Sequence, residues 1–219
     1  MWMLCLRFVN MVVRFYRVKL TDGLSNMEYE MISWDDIYNL TLRLSEMIVE
    51  SGFTPEVIIG IARGGWIPAR ILSDVLYTSQ MMNVRIEYYT DVGIHNDEPR
   101  IVQPVTGSIE SKSVLIVDEV VDSGESLHHA IQHVKALGVT EVRSAVLHLK
   151  PSSRITPDYY MVKTKKWTVY PWEHRESIIA LVRIFKEEKP SLNLKQIRHK
   201  LVFEVGFDPT VADYFIKRL

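Results

Sequence analysis

A single cysteine, Cys5, occurs in the 219 residues, so no internal disulfide can form and no cysteine cluster can hold a structural zinc. Neither sign of charge prevails. Against 26 Lys and Arg stand 27 Asp and Glu, a net charge of −1, which gives no global attraction to nucleic acid or to an anionic membrane. No uninterrupted apolar run is long enough to cross a bilayer. Met1–Leu20 is strongly apolar, but Arg7, Asn10, Arg14, Arg17 and Lys19 break it up. A secretory signal would place its charge before an apolar stretch and a small-residue cleavage site after it, and neither is clear here. The expected readings of this segment are an added strand or a start upstream of the real beginning at Met27. No internal repeat or low-complexity tract stands out, and neither G-x-x-x-x-G-K-[ST] nor G-x-G-x-x-G is found, which removes the P-loop and the dinucleotide fingerprint. A reducing, cytoplasmic setting is expected.

What is present is an ordinary globular composition. Hydrophobic residues make up 47% and charged residues 24%, enough to bury a large core without staples. Ser33 can cap a helix with Asp36 three residues on, and Ile37, Leu40, Leu44, Met47 and Ile48 recur at helical spacing up to Gly52. Val57–Ile61 is a short apolar run of the kind buried in parallel sheets. Arg63-Gly64-Gly65 and Pro68 then lead into a helix through about Leu76. Val84–Tyr89 alternates like a strand, whereas Thr90–Lys112 is polar and without period, and is expected to be a loop. Val114–Val117 is a second buried strand, Glu125–Leu137 a helix, and Val142–Leu149 a further strand. This alternation predicts an α/β fold, a central mostly parallel sheet flanked by helices. Beyond Glu173 only helical patterns follow (Ile178–Lys186, Leu194–Phe203, Thr210–Ile216), a C-terminal helical extension. Eight Lys and Arg against six Asp and Glu over residues 176–219 give it a net +2, too little for a nucleic-acid patch.

Chemistry concentrates in residues 114–127, VLIVDEVVDSGESL. Four apolar residues bury the strand, so Asp118 and Glu119 emerge at its carboxyl end, where open α/β sheets bind ligands. Asp122-Ser123-Gly124-Glu125-Ser126 then turns into a helix N-terminus, whose free N–H groups and dipole favour an anion. Two acids beside a phosphate cradle suit a phosphorylated polyol.

This string resembles the phosphoribosyl-diphosphate signature of the type I phosphoribosyltransferases. By that resemblance Asp118 and Glu119 bind the ribose hydroxyls of the donor, 5-phosphoribosyl 1-diphosphate, and also face a Mg2+ ion through the donor or water. Asp122, Ser123, Gly124, Glu125 and Ser126 hold its 5-phosphate. Gly60-Ile61-Ala62-Arg63-Gly64-Gly65 resembles the family's diphosphate loop, with Ala62, Arg63 and Gly64 as contacts. Lys150, followed by Trp167-Thr168-Val169-Tyr170-Pro171-Trp172-Glu173, resembles the base pocket of the purine branch, especially the xanthine–guanine type.

There a lysine contacts the exocyclic group at purine C6, an aromatic stacks on the ring, and an acid ends a Trp-rich strand. Lys150, Trp167, Thr168 and Glu173 are the implied base contacts. Asp122 is the implied catalytic acid or base at purine N7. The implied organisation is an apolar extension over residues 1–32, a phosphoribosyltransferase domain over 33–175 and the helical extension over 176–219. The implied activity is phosphoribosyl transfer to a purine, 6-oxopurines favoured, by a dimer of identical chains without nucleic-acid or membrane partners. Adenine stands as the alternative base, and a non-catalytic regulator that binds the same donor as the alternative of another class.

Overall fold

The computed structural model describes residues 28–88 and 99–219. The expectations for Met1–Leu20, for Met27 and for residues 89–98 lie outside those residues. In chain order the elements are β1 (Tyr29–Met31), α1 (Trp34–Glu50), β2 (Val57–Ala62), α2 (Trp66–Val75), β3 (Gln80–Tyr88), β4 (Pro99–Gln103), β5 (Ser113–Val121), α3 (Glu125–Ala136), β6 (Glu141–Leu149), β7 (Tyr159–Lys163), β8 (Trp167–Val169), α4 (His174–Glu188), α5 (Leu194–His199) and α6 (Pro209–Ile216). Contacts divide the described residues into two units, one of residues 33–165 and one that joins residues 28–32 with Lys166–Leu219. This division puts β8 with the helices.

The first unit is a six-stranded sheet in the order β4-β3-β2-β5-β6-β7. All neighbours are parallel except β4, which runs antiparallel to β3. Central strands of such a sheet are covered on both faces and read as continuous apolar runs, as Val57–Ile61 does, with every residue buried. Helix α1 starts at a reciprocal capping box: Ser33 Oγ accepts from the Asp36 N–H at 3.0 Å, and the Ser33 N–H donates to Asp36 Oδ2 at 3.0 Å. Its buried stripe is Ile37, Leu40, Thr41, Leu44 and Ile48, while Met47 faces outward. On the other side of the sheet, Val57, Ile59, Val114 and Ile116 pack with Leu127, Ala130 and Val134 of α3.

Two strands depart from the sequence reading. Pro99–Gln103, expected to lie in a loop, is the edge strand β4. Proline is tolerated at the first position of an edge strand, where its missing N–H leaves no ladder bond unmade. Tyr159–Lys163 forms the opposite edge, β7, with only Tyr159 fully buried.

In the second unit β1 and β8 pair in parallel, Tyr29 opposite Trp167 and Met31 opposite Val169. Its core joins Tyr29 and Val169 to Ile178, Leu181, Phe185, Ile197, Leu201, Phe207 and Ala212. The three helical patterns of the tail are all present. Helix α4 is longer than its pattern at both ends. Helix α5 passes at Lys200 into a π-helical turn, Lys200–Val205, closed by Gly206 at φ 100°. Helix α6 is capped by Asp208, whose carboxylate accepts from the N–H groups of Thr210 and Val211. Among the described residues no helix is long and apolar enough to cross a membrane.

Candidate active site

At the end of β5 the two acids stay together. Val114 and Ile116 point to the α3 side and Asp118 lines the cavity there, while the Glu119 carboxyl keeps a hydrogen bond with Asp118 and reaches over Gly64. Both are almost fully buried, at 9% and 8% exposure. Asp118 Oδ1 accepts the Glu119 N–H at 3.0 Å. Burial pushes the Glu119 carboxyl up; its hydrogen bond with Asp118 and the charge of Arg63 oppose that shift without cancelling it. The Glu119 carboxylate occupies the space that a side chain on Gly64 would fill. A glycine there is what lets the acid of β5 reach the loop after β2.

That loop is the tight turn from β2 into α2. The Ala62–Arg63 peptide is cis, and the Gly65 N–H donates to the Ile61 carbonyl at 3.0 Å. A Cβ on Gly65 would stand 2.5 Å from the Val117 carbonyl oxygen and 2.7 Å from that of Ile61, both backbone atoms that cannot swing away. No side chain caps α2 at Gly65. Ala62, Arg63 and Gly64 thus lie beside Glu119, one loop against the other.

At the end of β5 a cavity of about 140 Å³ is lined by Asp118, Asp122, Ser123, Gly124 and Ser126, among others. A single water needs only about 10–15 Å³ of such space, so the cavity has room for a group much larger than one water. Gly124, at φ 93°, opens α3 and offers no side-chain cap. The N-terminus of a twelve-residue helix therefore faces the cavity with its dipole. Glu125 does not line it; its carboxylate pairs with Arg154 at 3.2 Å. The Asp122 carboxylate accepts from the Ser152 hydroxyl at 3.1 Å, a contact for which the sequence carries no signal.

Lys150 follows β6, half-buried, and its backbone N–H donates to the Val121 carbonyl at 2.9 Å. This ties the lysine to the strand that leads into residues 122–126. Two residues before it, His148 is 1% exposed. Trp167, Thr168 and Glu173 belong to the other unit. Trp167 is half-buried with its ring 5.9 Å from that of Tyr29, Thr168 is buried opposite Glu30, and Glu173 ends a 3₁₀ turn. The stacked pair of that segment is Tyr170 on Trp172, with centroids 4.9 Å apart and planes at 9°.

Among the described residues no group of three or more His, Cys, Asp or Glu side chains is arranged to hold a metal ion by itself. The hard carboxylate oxygens of Asp118 and Glu119 instead fit a hydrated divalent cation that takes its remaining ligands from a bound phosphate compound.

Buried acids at the carboxyl end of a parallel strand, a helix N-terminus over the adjoining cavity and a glycine turn closed against one of the acids define an α/β site suited to a phosphorylated ligand. Residues 33–177 match the phosphoribosyl transferase domain, and the chain belongs to that family. It is 26% identical to the xanthine-guanine phosphoribosyltransferase of Gluconobacter oxydans, over 67% of this chain and 86% of the relative. It is 29% identical to the hypoxanthine-guanine phosphoribosyltransferase of Saccharomyces cerevisiae, over 81% and 100%. The crystal structure of a purine phosphoribosyltransferase from Pyrococcus horikoshii superimposes with a TM-score of 0.61 at 37% identity, covering 67% of this chain and 94% of that one.

Proposed function

We propose that the protein transfers the phosphoribosyl group of 5-phosphoribosyl 1-diphosphate to a 6-oxopurine, giving the nucleoside 5'-monophosphate and pyrophosphate. The observation that carries this reading is the cavity bordered by Asp118, Asp122, Ser123, Gly124 and Ser126 at the N-terminus of α3. In it the 5-phosphate takes the helix N–H groups and serine hydroxyls. Asp118 and Glu119 accept hydrogen bonds from the ribose hydroxyls, and Ala62, Arg63 and Gly64 meet the diphosphate. Glu125, paired with Arg154, contributes to the phosphate loop through its backbone. Purine N9 bonds to C1' of the ribose as the bond from C1' to the diphosphate oxygen breaks, and Asp122 takes the proton from N7. Positive charge that develops on the sugar is stabilised by the nearby carboxylates. Asp118 and Glu119, together with the donor, would hold a Mg2+ ion, which would supply charge neutralisation for the leaving diphosphate.

For the base, Lys150 donates to the C6 carbonyl oxygen, and an ammonium can only donate. Facing an adenine amino group instead would leave a donor against a donor, at about 1–3 kcal/mol, or roughly a ten- to hundredfold preference. Trp167 as the stacking ring, with Thr168 and Glu173 as further base contacts, rests on the family resemblance. The names of the xanthine-guanine and hypoxanthine-guanine relatives point the same way. Self-association is part of the proposal: Trp34, Tyr38 and Val49, each more than half exposed, share one face of α1, and light scattering reads the resulting mass. A cytoplasmic setting suits such a salvage enzyme.

The test is pyrophosphate release at saturating donor and magnesium with hypoxanthine, guanine, xanthine and adenine, repeated on Lys150→Ala. Preference for a 6-oxopurine that weakens in the variant supports the reading. Adenine as the preferred substrate overturns the base assignment, and no release with any purine overturns the enzyme reading in favour of a regulator that binds the donor.

A further inference from the structure

We infer that Ser152 is a positioning residue for Asp122: its hydroxyl holds one carboxylate oxygen and thereby aims the other at purine N7. This rests on the phosphoribosyl-transfer reading and adds a residue to it. The Ser152 hydroxyl lies 3.1 Å from Asp122 Oδ1. Its position is fixed because the turn that carries it is fastened to the phosphate loop on both sides. Before it, the Lys150 N–H donates to the Val121 carbonyl at 2.9 Å; after it, the Arg154 N–H donates to the Ser123 carbonyl at 3.0 Å. The Arg154 guanidinium reaches on to Glu125 at 3.2 Å.

Packing closes the same seam. A Cβ on Gly124 would stand 2.9 Å from Ser153 Oγ and 3.2 Å from the Ile155 side chain, so the loop and the turn are already in close contact. The neighbouring hydroxyl is otherwise engaged, with Ser153 Oγ donating to the Ile155 carbonyl at 2.6 Å. Ser152 is thus the hydroxyl of this turn that meets the carboxylate.

Asp122 is exposed, and an exposed carboxylate turns freely between rotamers. A proton acceptor that wanders by about an ångström loses much of its catalytic value. Anchoring Oδ1 fixes the carboxylate plane and leaves Oδ2 for the base. The same turn begins with Lys150, two positions earlier. Purine O6 and N7 lie side by side on one edge of the base, so the group that reads O6 and the group that aims the N7 acceptor ride on one turn.

The experiment is a double-mutant cycle on pyrophosphate release: Ser152→Ala and Ser152→Thr, each alone and combined with Asp122→Asn, with kcat and both KM values measured. Removing one hydrogen bond to the carboxylate is expected to lower kcat by about 3- to 10-fold, with the donor KM within about twofold. Threonine, which keeps the hydroxyl, is expected to restore kcat. In the Asp122→Asn background, where the carboxylate is already gone, Ser152→Ala is expected to cost nothing further. Equal losses in both backgrounds overturn the inference, as does an unchanged kcat or a loss carried by the donor KM. An unmodified enzyme that releases no pyrophosphate with any purine overturns the transfer reading itself, and this inference with it.

Discussion

His148 should make the protein acid-sensitive, by an amount that follows from its surroundings. The imidazole sits in β6 at 1% exposure, and its pKa falls from 6.5 to about 4. Burial is the main cause; the Lys150 ammonium adds to it, and Asp36 pulls weakly the other way. The folded state therefore keeps the ring neutral while the unfolded chain protonates it near its ordinary value. Stability from this group is complete above pH 6.5 and is lost as the pH falls toward 4. With about 1.36 kcal/mol per pKa unit, the full loss is about 3 kcal/mol, of which about 2 kcal/mol is gone at about pH 5. That is a large share of a typical folding free energy of about 5–15 kcal/mol. The assay is urea unfolding, followed by tryptophan fluorescence at steps from about pH 7.5 to 5, on the unmodified protein and on His148→Gln. Carboxylates and the other histidines contribute to both proteins, so the difference between the two pH slopes isolates His148. Curves that stay parallel over this range would refute the reasoning, whatever their vertical offset.

Two further outcomes are expected from the loop after β2. Gly65→Ala should destabilise by about 1–3 kcal/mol, as overpacking does, because its Cβ meets two backbone carbonyls; an unchanged urea midpoint would count against that crowding. Gly64→Ala meets the Glu119 side chain first, a group that can swing aside, so it should spare most of the stability and, by displacing a carboxylate from its hydrogen-bonding place, weaken donor binding about tenfold in a titration. Unaltered affinity would show that Glu119 does not need that space. Glu119 itself should release protons on donor binding. Burial holds its carboxyl up, whereas magnesium and ribose hydroxyls favour the ionised form. Calorimetry in buffers of different ionisation heat should show a release that grows as the pH is lowered, and buffer-independent heats would exclude it.

The alternation of strand and helix from Ser33 to Leu149 is legible locally because each piece announces itself: a capping pair at Ser33 and Asp36, apolar runs at Val57 and Val114, a glycine turn before α3. Strand β4 is not, since an edge strand that starts on proline and exposes Arg100, Val102 and Gln103 looks like a loop. Strands β1 and β8 are three residues each and define one another only by pairing, a relation that no local window contains. The same limit applies to the site. The residues from Asp118 to Ser126 are contiguous, and their chemistry can be read along the chain. The fit of Glu119 over Gly64 and the reach of Ser152 to Asp122 join loops far apart in sequence, and depend on which way a side chain turns at a strand end. Trp167 and Trp172 show the opposite case, where an aromatic-rich string is conspicuous but its stacked pair is Tyr170 with Trp172.

The pairing of β1 with β8 also sets a clock on synthesis. Tyr29–Met31 leaves the ribosome well before its partner Trp167–Val169, which follows only after residues 32–166 have been made. At about 5–20 residues per second, the first strand waits roughly 7–27 s with its hydrogen-bonding groups unmatched. Meanwhile residues 33–165 hold all six strands of the larger sheet, none of which waits for the tail. The nascent chain thus carries every strand of that sheet together with an unmatched strand, the kind of edge that recruits other chains. Binding by a holdase at the ribosome exit would protect it during that interval, until residues 166–219 close the second unit around it.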